Sequence, residues 1–105
     1  MNKYHSRRTS VNDMVFASAA EARRYEELLL LQHVREIQNL RCQVSYRIVV
    51  NGETICTYVA DFQYFDCRKN ETVIEDVKGV RTPVYRLKAK LMKAVNGITI
   101  QEIAA

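Results

Sequence analysis

Hydrophobic positions recur with two different periods along this chain, helical in two stretches and strand-like in the region between them. From Ser18 onward Ala22, Tyr25, Leu28, Leu29 and Gln32 form one helical stripe, which Leu30 and Leu31 widen. Ser18-Ala-Ala-Glu21 fits a capping box, in which the serine caps the first turn and the glutamate bonds back, so a helix is predicted over 19–34. After Ile37-Gln-Asn-Leu40 the period changes. Val44, Tyr46, Ile48 and Val50 alternate with Ser45, Arg47 and Val49, and Asn51-Gly52 supplies a hairpin turn. A returning strand is predicted over 55–65, and Arg68-Lys-Asn-Glu71 reverses the chain into a third strand over 72–78, giving three antiparallel strands in meander order. Gly79 ends that strand.

Thr82-Pro83 then opens a second helix, with threonine as cap and proline at the first helical position. Val84, Leu87, Leu91 and Val95 are spaced as its core stripe, while Arg86, Lys90 and Lys93 share the spacing on another face. Asn96-Gly97 stops the helix, and 98–103 supplies a last short strand. The predicted order is therefore α-β-β-β-α-β, an α/β (α+β) domain over 13–105. It is preceded by a polar, flexible arm over 1–12 carrying Lys3, Arg7 and Arg8, either a frayed terminus or an arm that binds nucleic acid.

Composition narrows the class. A chain of 105 residues makes one domain with a modest core, which a second copy in a homodimer would supplement. Its formal charge of +4 favours a polyanionic partner such as DNA, without requiring one. Cys42, Cys56 and Cys67 are odd in number and lack C-x-x-C spacing, against both a disulfide framework and a zinc knuckle. Reduced thiols, no signal-like segment and no apolar run of bilayer length point to a cytoplasmic protein without a membrane partner. His5 and His33 are too isolated to pair in chemistry and read as surface or packing residues.

Charge inside the strand pattern changes the picture. In Val73-Ile-Glu-Asp76-Val-Lys78-Gly79, Asp76 and Lys78 share one face and Val73, Glu75 and Val77 the other, so an acid stands beside an amine by geometry alone. Alone, the pair reads first as an exposed edge-strand ion pair worth about 0.5 kcal/mol. Asp61, embedded in Tyr58-Val-Ala-Asp61-Phe, adds a second carboxylate if its strand pairs with this one; two acids and a lysine then make a divalent-metal site. Glu75 is the rival ligand, because a slip of one residue exchanges the two faces. Arg86, Lys90 and Lys93 read either as a solvated helix face or as phosphate contacts, and Tyr58, Tyr64 and Tyr85 as packing residues.

The element order, with Asp61 before a strand reversal and Asp76-Val77-Lys78 after it, resembles the PD-(D/E)XK nuclease superfamily. More narrowly, Phe16-x-Ser18-x-x-Glu21, Ala60-Asp61-Phe62 and Glu75-Asp-Val-Lys-Gly79-x-x-Thr82 resemble a family of small phage and prophage proteins assigned to it. Ala60 stands where that pattern has proline. The resemblance covers 14–103 and implies a restriction-endonuclease-like αβββαβ core, with a central mixed sheet flanked by helices. It implies Glu21, Asp61 and Asp76 as acidic metal ligands, the Val77 carbonyl as a further one, and Lys78 beside the attacking water. The ion implied is Mg²⁺, with Mn²⁺ able to substitute, since hard cations prefer carboxylate and carbonyl oxygens. Arg81, Arg86, Lys90 and Lys93 are the expected DNA contacts. The expected activity is metal-dependent endonucleolytic hydrolysis of DNA, with junction or branched DNA as the leading substrate and a phage or prophage origin. The alternative is a non-catalytic DNA-binding or phage-assembly module on the same fold. For Glu21, the cap and ligand roles are compatible.

Overall fold

Ser18 holds extended backbone and its Oγ accepts the Glu21 N–H at 3.2 Å, so helix α1 starts at Ala19 and runs to His33. The computed structural model describes residues 8–12 and 14–105. Ahead of α1 lie strands β1 (Thr9–Val11) and β2 (Met14–Phe16); after it come β3 (Ile37–Val50), β4 (Glu53–Asp66), β5 (Glu71–Lys78), helix α2 (Pro83–Asn96) and β6 (Gln101–Ala104). The αβββαβ order read from the two periods is present. A short β1–β2 hairpin precedes it, taking in part of the stretch expected as an arm. Residues 1–7, with Lys3, His5 and Arg7, lie outside the described residues.

One sheet carries the fold in the order β3-β4-β5-β6. Asn51 and Gly52 both take left-handed backbone (φ 51° and 79°), as a two-residue hairpin turn requires, and β3, β4 and β5 follow antiparallel. β6 instead lies parallel to β5, because the chain crosses over through α2 before returning to the sheet. The central sheet is therefore mixed. Adjacent residues of β5 show how the helices flank it: Val73 packs in the core with Tyr25 and Leu28 of α1, Ile74 in the core with Met92 of α2. Consecutive strand residues face opposite ways, so the helices cover opposite faces. Full burial of Leu28, Ile48, Phe62 and Met92 contributes roughly 1.5–3 kcal/mol for each side chain.

Three expectations need correction. In α2 three of the four positions expected in the core are exposed, Val84 at 63%, Leu87 at 59% and Val95, while the fourth, Leu91, packs with Tyr85 beside fully buried Met92. Helical spacing permits either stripe, and the sheet receives the one on which Tyr85 and Met92 lie. In α1, Leu30 is exposed and does not widen the buried face; the Gln32 side chain instead accepts the Leu40 N–H at 2.9 Å. The last strand begins at Gln101, because its pairing starts opposite Glu75, and the segment 97–100 is spent leaving the left-handed cap at Gly97 (φ 68°).

Candidate active site

The β4–β5 ladder runs from Asp66–Glu71 to Phe62–Glu75 and stops. One step further in the same register, Asp61 faces Asp76, and there side chains replace the ladder. Asp76 Oδ1 accepts the Asp61 N–H at 3.0 Å, and Asp61 Oδ2 accepts the Val77 N–H at 2.8 Å. Each carboxylate thus uses one oxygen to hold the other's strand where the two strands part.

A local twist prepares this point. Tyr58, Ala60, Phe62 and Tyr64 would share one face of a regular strand, yet Phe62 and Tyr64 belong to the α1 core and Tyr58 and Ala60 to the α2 core. The changeover falls at Asp61. The residue across from it on β3, between the Cys42–Phe62 and Val44–Ala60 pairs, is Gln43, whose backbone is left-handed at φ 52°. Gln43 lies close enough to the Asp61 side chain to favour its charged form, and both line a cavity of about 380 Å³ with Glu21 and Arg8. Nothing in the sequence pattern marked Gln43, because a left-handed glutamine inside a strand has no period.

Glu21 is brought in by the start of α1 and is half-buried. Only half of the capping box forms: Ser18 caps Glu21, while the glutamate's field is set by the sheet acids. Burial, then Asp61, then Asp76 push its carboxyl up to about 7, with Lys78 opposing. Burial also raises Asp61 and Asp76; the backbone N–H bonds each accepts and the Lys78 charge pull them back. Lys78 itself lies over the Tyr85 ring, its Nζ 4.3 Å from the centroid. Glu21, Asp61, Asp76 and Lys78, far apart in sequence, therefore share one electrostatic neighbourhood.

Their chemistry fits a hard divalent cation. Asp76 is buried and its Oδ2 has no hydrogen-bond partner among the described residues, a cost that an ion or a donor would remove. Among the described residues no three acidic, histidine or cysteine side chains are gathered so as to hold an ion as they stand. Val77 follows Asp76 on β5 and gives its N–H to Asp61, leaving its carbonyl as the candidate oxygen.

Glu75 is elsewhere. Fully buried on the α1 side, it accepts Arg24 Nε on Oε1 at 2.9 Å and Arg24 Nη2 on Oε2 at 2.7 Å, with the Tyr64 hydroxyl as a third donor. Both oxygens are thus committed away from Asp61, which separates it from Asp76 as a ligand. The expected DNA contacts divide as well. Arg86, Lys90 and Lys93 are exposed on α2, whereas Arg81 is held by Glu102, with Nε 2.7 Å from Oε1. Tyr85 donates to the same glutamate at 2.8 Å.

The chain belongs to the family described as "Protein of unknown function (DUF1064)", whose model matches residues 1–98. No curated protein matches it. No helix among the described residues is long and apolar enough to cross a membrane.

Proposed function

We propose that this member of the DUF1064 family is a metal-dependent endodeoxyribonuclease, with the cluster at the β4–β5 split as its catalytic centre. The observation that carries the reading is the position of the unpartnered Asp76 Oδ2 beside Asp61, in a neighbourhood where two further carboxylate-directed charges, Glu21 and Lys78, converge. Glu21, Asp61 and Asp76, with the Val77 carbonyl, would hold Mg²⁺, for which Mn²⁺ substitutes. When bound, such an ion lowers the pKa of water and offsets phosphate charge. Lys78 keeps a cation beside the acids, where it stabilises charge on the attacking oxygen and the phosphate. Exposed Arg86, Lys90 and Lys93 supply phosphate contacts.

The substrate in this reading is branched or junction DNA, since a minimal core offers little surface for reading base sequence and more for reading shape. The protein would act in the cytoplasm of a bacterial host, with a phage or prophage origin, as a homodimer. Leu87 and Val95 leave apolar side chains exposed on α2 of the kind a second copy covers.

The test is incubation of the chain with supercoiled, linear, single-stranded and four-way-junction DNA in Mg²⁺, Mn²⁺ or EDTA. Cutting of the junction in metal and none in EDTA is expected. Gel retardation without cutting in any metal would instead make the chain a binding or assembly module, and light scattering at the monomer mass would remove the dimer.

A further inference from the structure

We propose that the groove between β4 and the first turn of α2 is a phosphate-binding subsite, occupied by a backbone phosphate of a nucleic-acid strand next to the carboxylate centre. The identity of the strand rests on the nuclease reading; the anion chemistry stands on the groove itself.

The groove encloses about 280 Å³, and Tyr58, Asp76, Lys78, Thr82, Val84 and Lys88 are among the residues that line it. Its donors come from three elements. Helix α2 begins here with no acidic residue in its first turn. Thr82 Oγ1 takes the Tyr85 N–H at 3.1 Å and Pro83 has none, which leaves the Val84 N–H without a partner among the described residues. A free amide at the positive end of a helix attracts an anion. Lys88 Nζ donates to the Thr57 carbonyl at 3.0 Å, which anchors the ammonium at the groove and leaves two further N–H donors.

Tyr58 of β4 adds a polar group that the helix end does not supply. It is 3% exposed, and its hydroxyl has no hydrogen-bond partner among the described residues. A buried phenol left unpaired loses the bonds it had in water, so it persists where a ligand supplies the acceptor. The groove thus combines the Lys88 ammonium, a helix-terminal amide and an orphaned hydroxyl, while Lys78 offsets Asp76 in the same lining. Donors in excess from several directions match a group with several charged oxygens on one centre, which is phosphate. Exposed Val59 and Val84 form apolar walls where a sugar or base would lie, so the phosphate of a strand fits better than a free ion.

The experiment is amide NMR on the full chain without metal, titrated separately with inorganic phosphate and with a thymidine tetranucleotide, against chloride at matched ionic strength. Saturable shifts centred on Val84 and Tyr85 are expected with both probes. Lys88→Met should weaken them roughly tenfold, the weight of a charge-assisted bond, Lys88→Arg should restore them, and Tyr58→Phe should weaken them roughly fivefold. Melting curves of the variants establish that each is folded. No saturable shift at Val84, or the same shift in Lys88→Met, overturns the subsite. Binding of phosphate with none of the tetranucleotide overturns the nucleic-acid ligand. Because no metal is present, these outcomes are separate from the cleavage assay: a chain that binds both probes here and cuts no DNA keeps the subsite and loses the nuclease.

Discussion

Asp61 and Asp76 brace one another across the point where β4 and β5 separate, each accepting a backbone N–H from the other's strand. The brace and the proposed ligand role need different parts of the same group. Asparagine keeps an acceptor oxygen for the amide and loses the charge. Asp61→Asn and Asp76→Asn should therefore each abolish cleavage while leaving the melting temperature unchanged or raised, since one source of repulsion is gone. Asp61→Ala should lose cleavage and also about 1–3 kcal/mol of stability, the cost of an unsatisfied Val77 N–H. Denaturant unfolding beside the cleavage assay separates the two, and wild-type cutting in either asparagine variant would move the metal site elsewhere.

Glu21 makes the apo protein sensitive to pH in a definite direction. Its folded pKa, near 7, lies above the ordinary value of 4.5, so between those limits the native state holds a proton that the unfolded chain has released. Stability without metal should fall as pH rises through that window and level off above it, with Asp61 and Asp76, also raised, acting in the same sense. Glu21→Gln should flatten the trend, keep the Ser18 cap, and lower cleavage. Full Mg²⁺-dependent activity in Glu21→Gln would leave Asp61 and Asp76 as the only acidic ligands.

Lys78→Met should lose catalysis and retain Mn²⁺ binding, because the lysine's charge is assigned to the nucleophile and phosphate rather than to the ion. Calorimetric titration with Mn²⁺ reads the binding and a junction-cleavage assay reads the rate. Undiminished cutting would reduce Lys78 to a cation resting on Tyr85.

On the far face of β5, Arg24→Met should cost about 3–5 kcal/mol, because it strands the fully buried Glu75 carboxylate. The double variant Arg24→Met, Glu75→Leu should recover most of that loss. If urea unfolding shows the single variant near wild type, the pair does not hold the register that keeps Asp76 on the opposite face.

Arg86→Ala and Lys90→Ala should each reduce the salt-dependence slope of DNA binding by about one contact. Arg81→Ala should change it less, because Glu102 already engages that guanidinium. Equal slopes in all three variants would make the exposed face of α2 a solvated surface.

Local pattern by itself determined the αβββαβ order from Ser18 onward, the Ser18 and Thr82 caps, the Asn51-Gly52 turn, and the shared face of Asp76 and Lys78, because each depends on spacing within a few residues. The (D/E)-x-K spacing and Asp61 were legible for the same reason. Tertiary structure decided what spacing leaves degenerate. Two stripes of α2 are apolar enough to pack, and only the sheet's position selects Tyr85 and Met92 over Val84 and Leu87. Asp76 and Glu75 are adjacent acids with opposite fates, settled when Arg24 and Tyr64 claim Glu75 from the α1 side. Gln43 enters the site only because a left-handed residue lies across from Asp61 in the register of β3, and Tyr58 of β4 meets Tyr85 of α2 only in the folded chain. These are relations between segments distant in the chain, and a period counted along one segment carries no information about which neighbour it will meet.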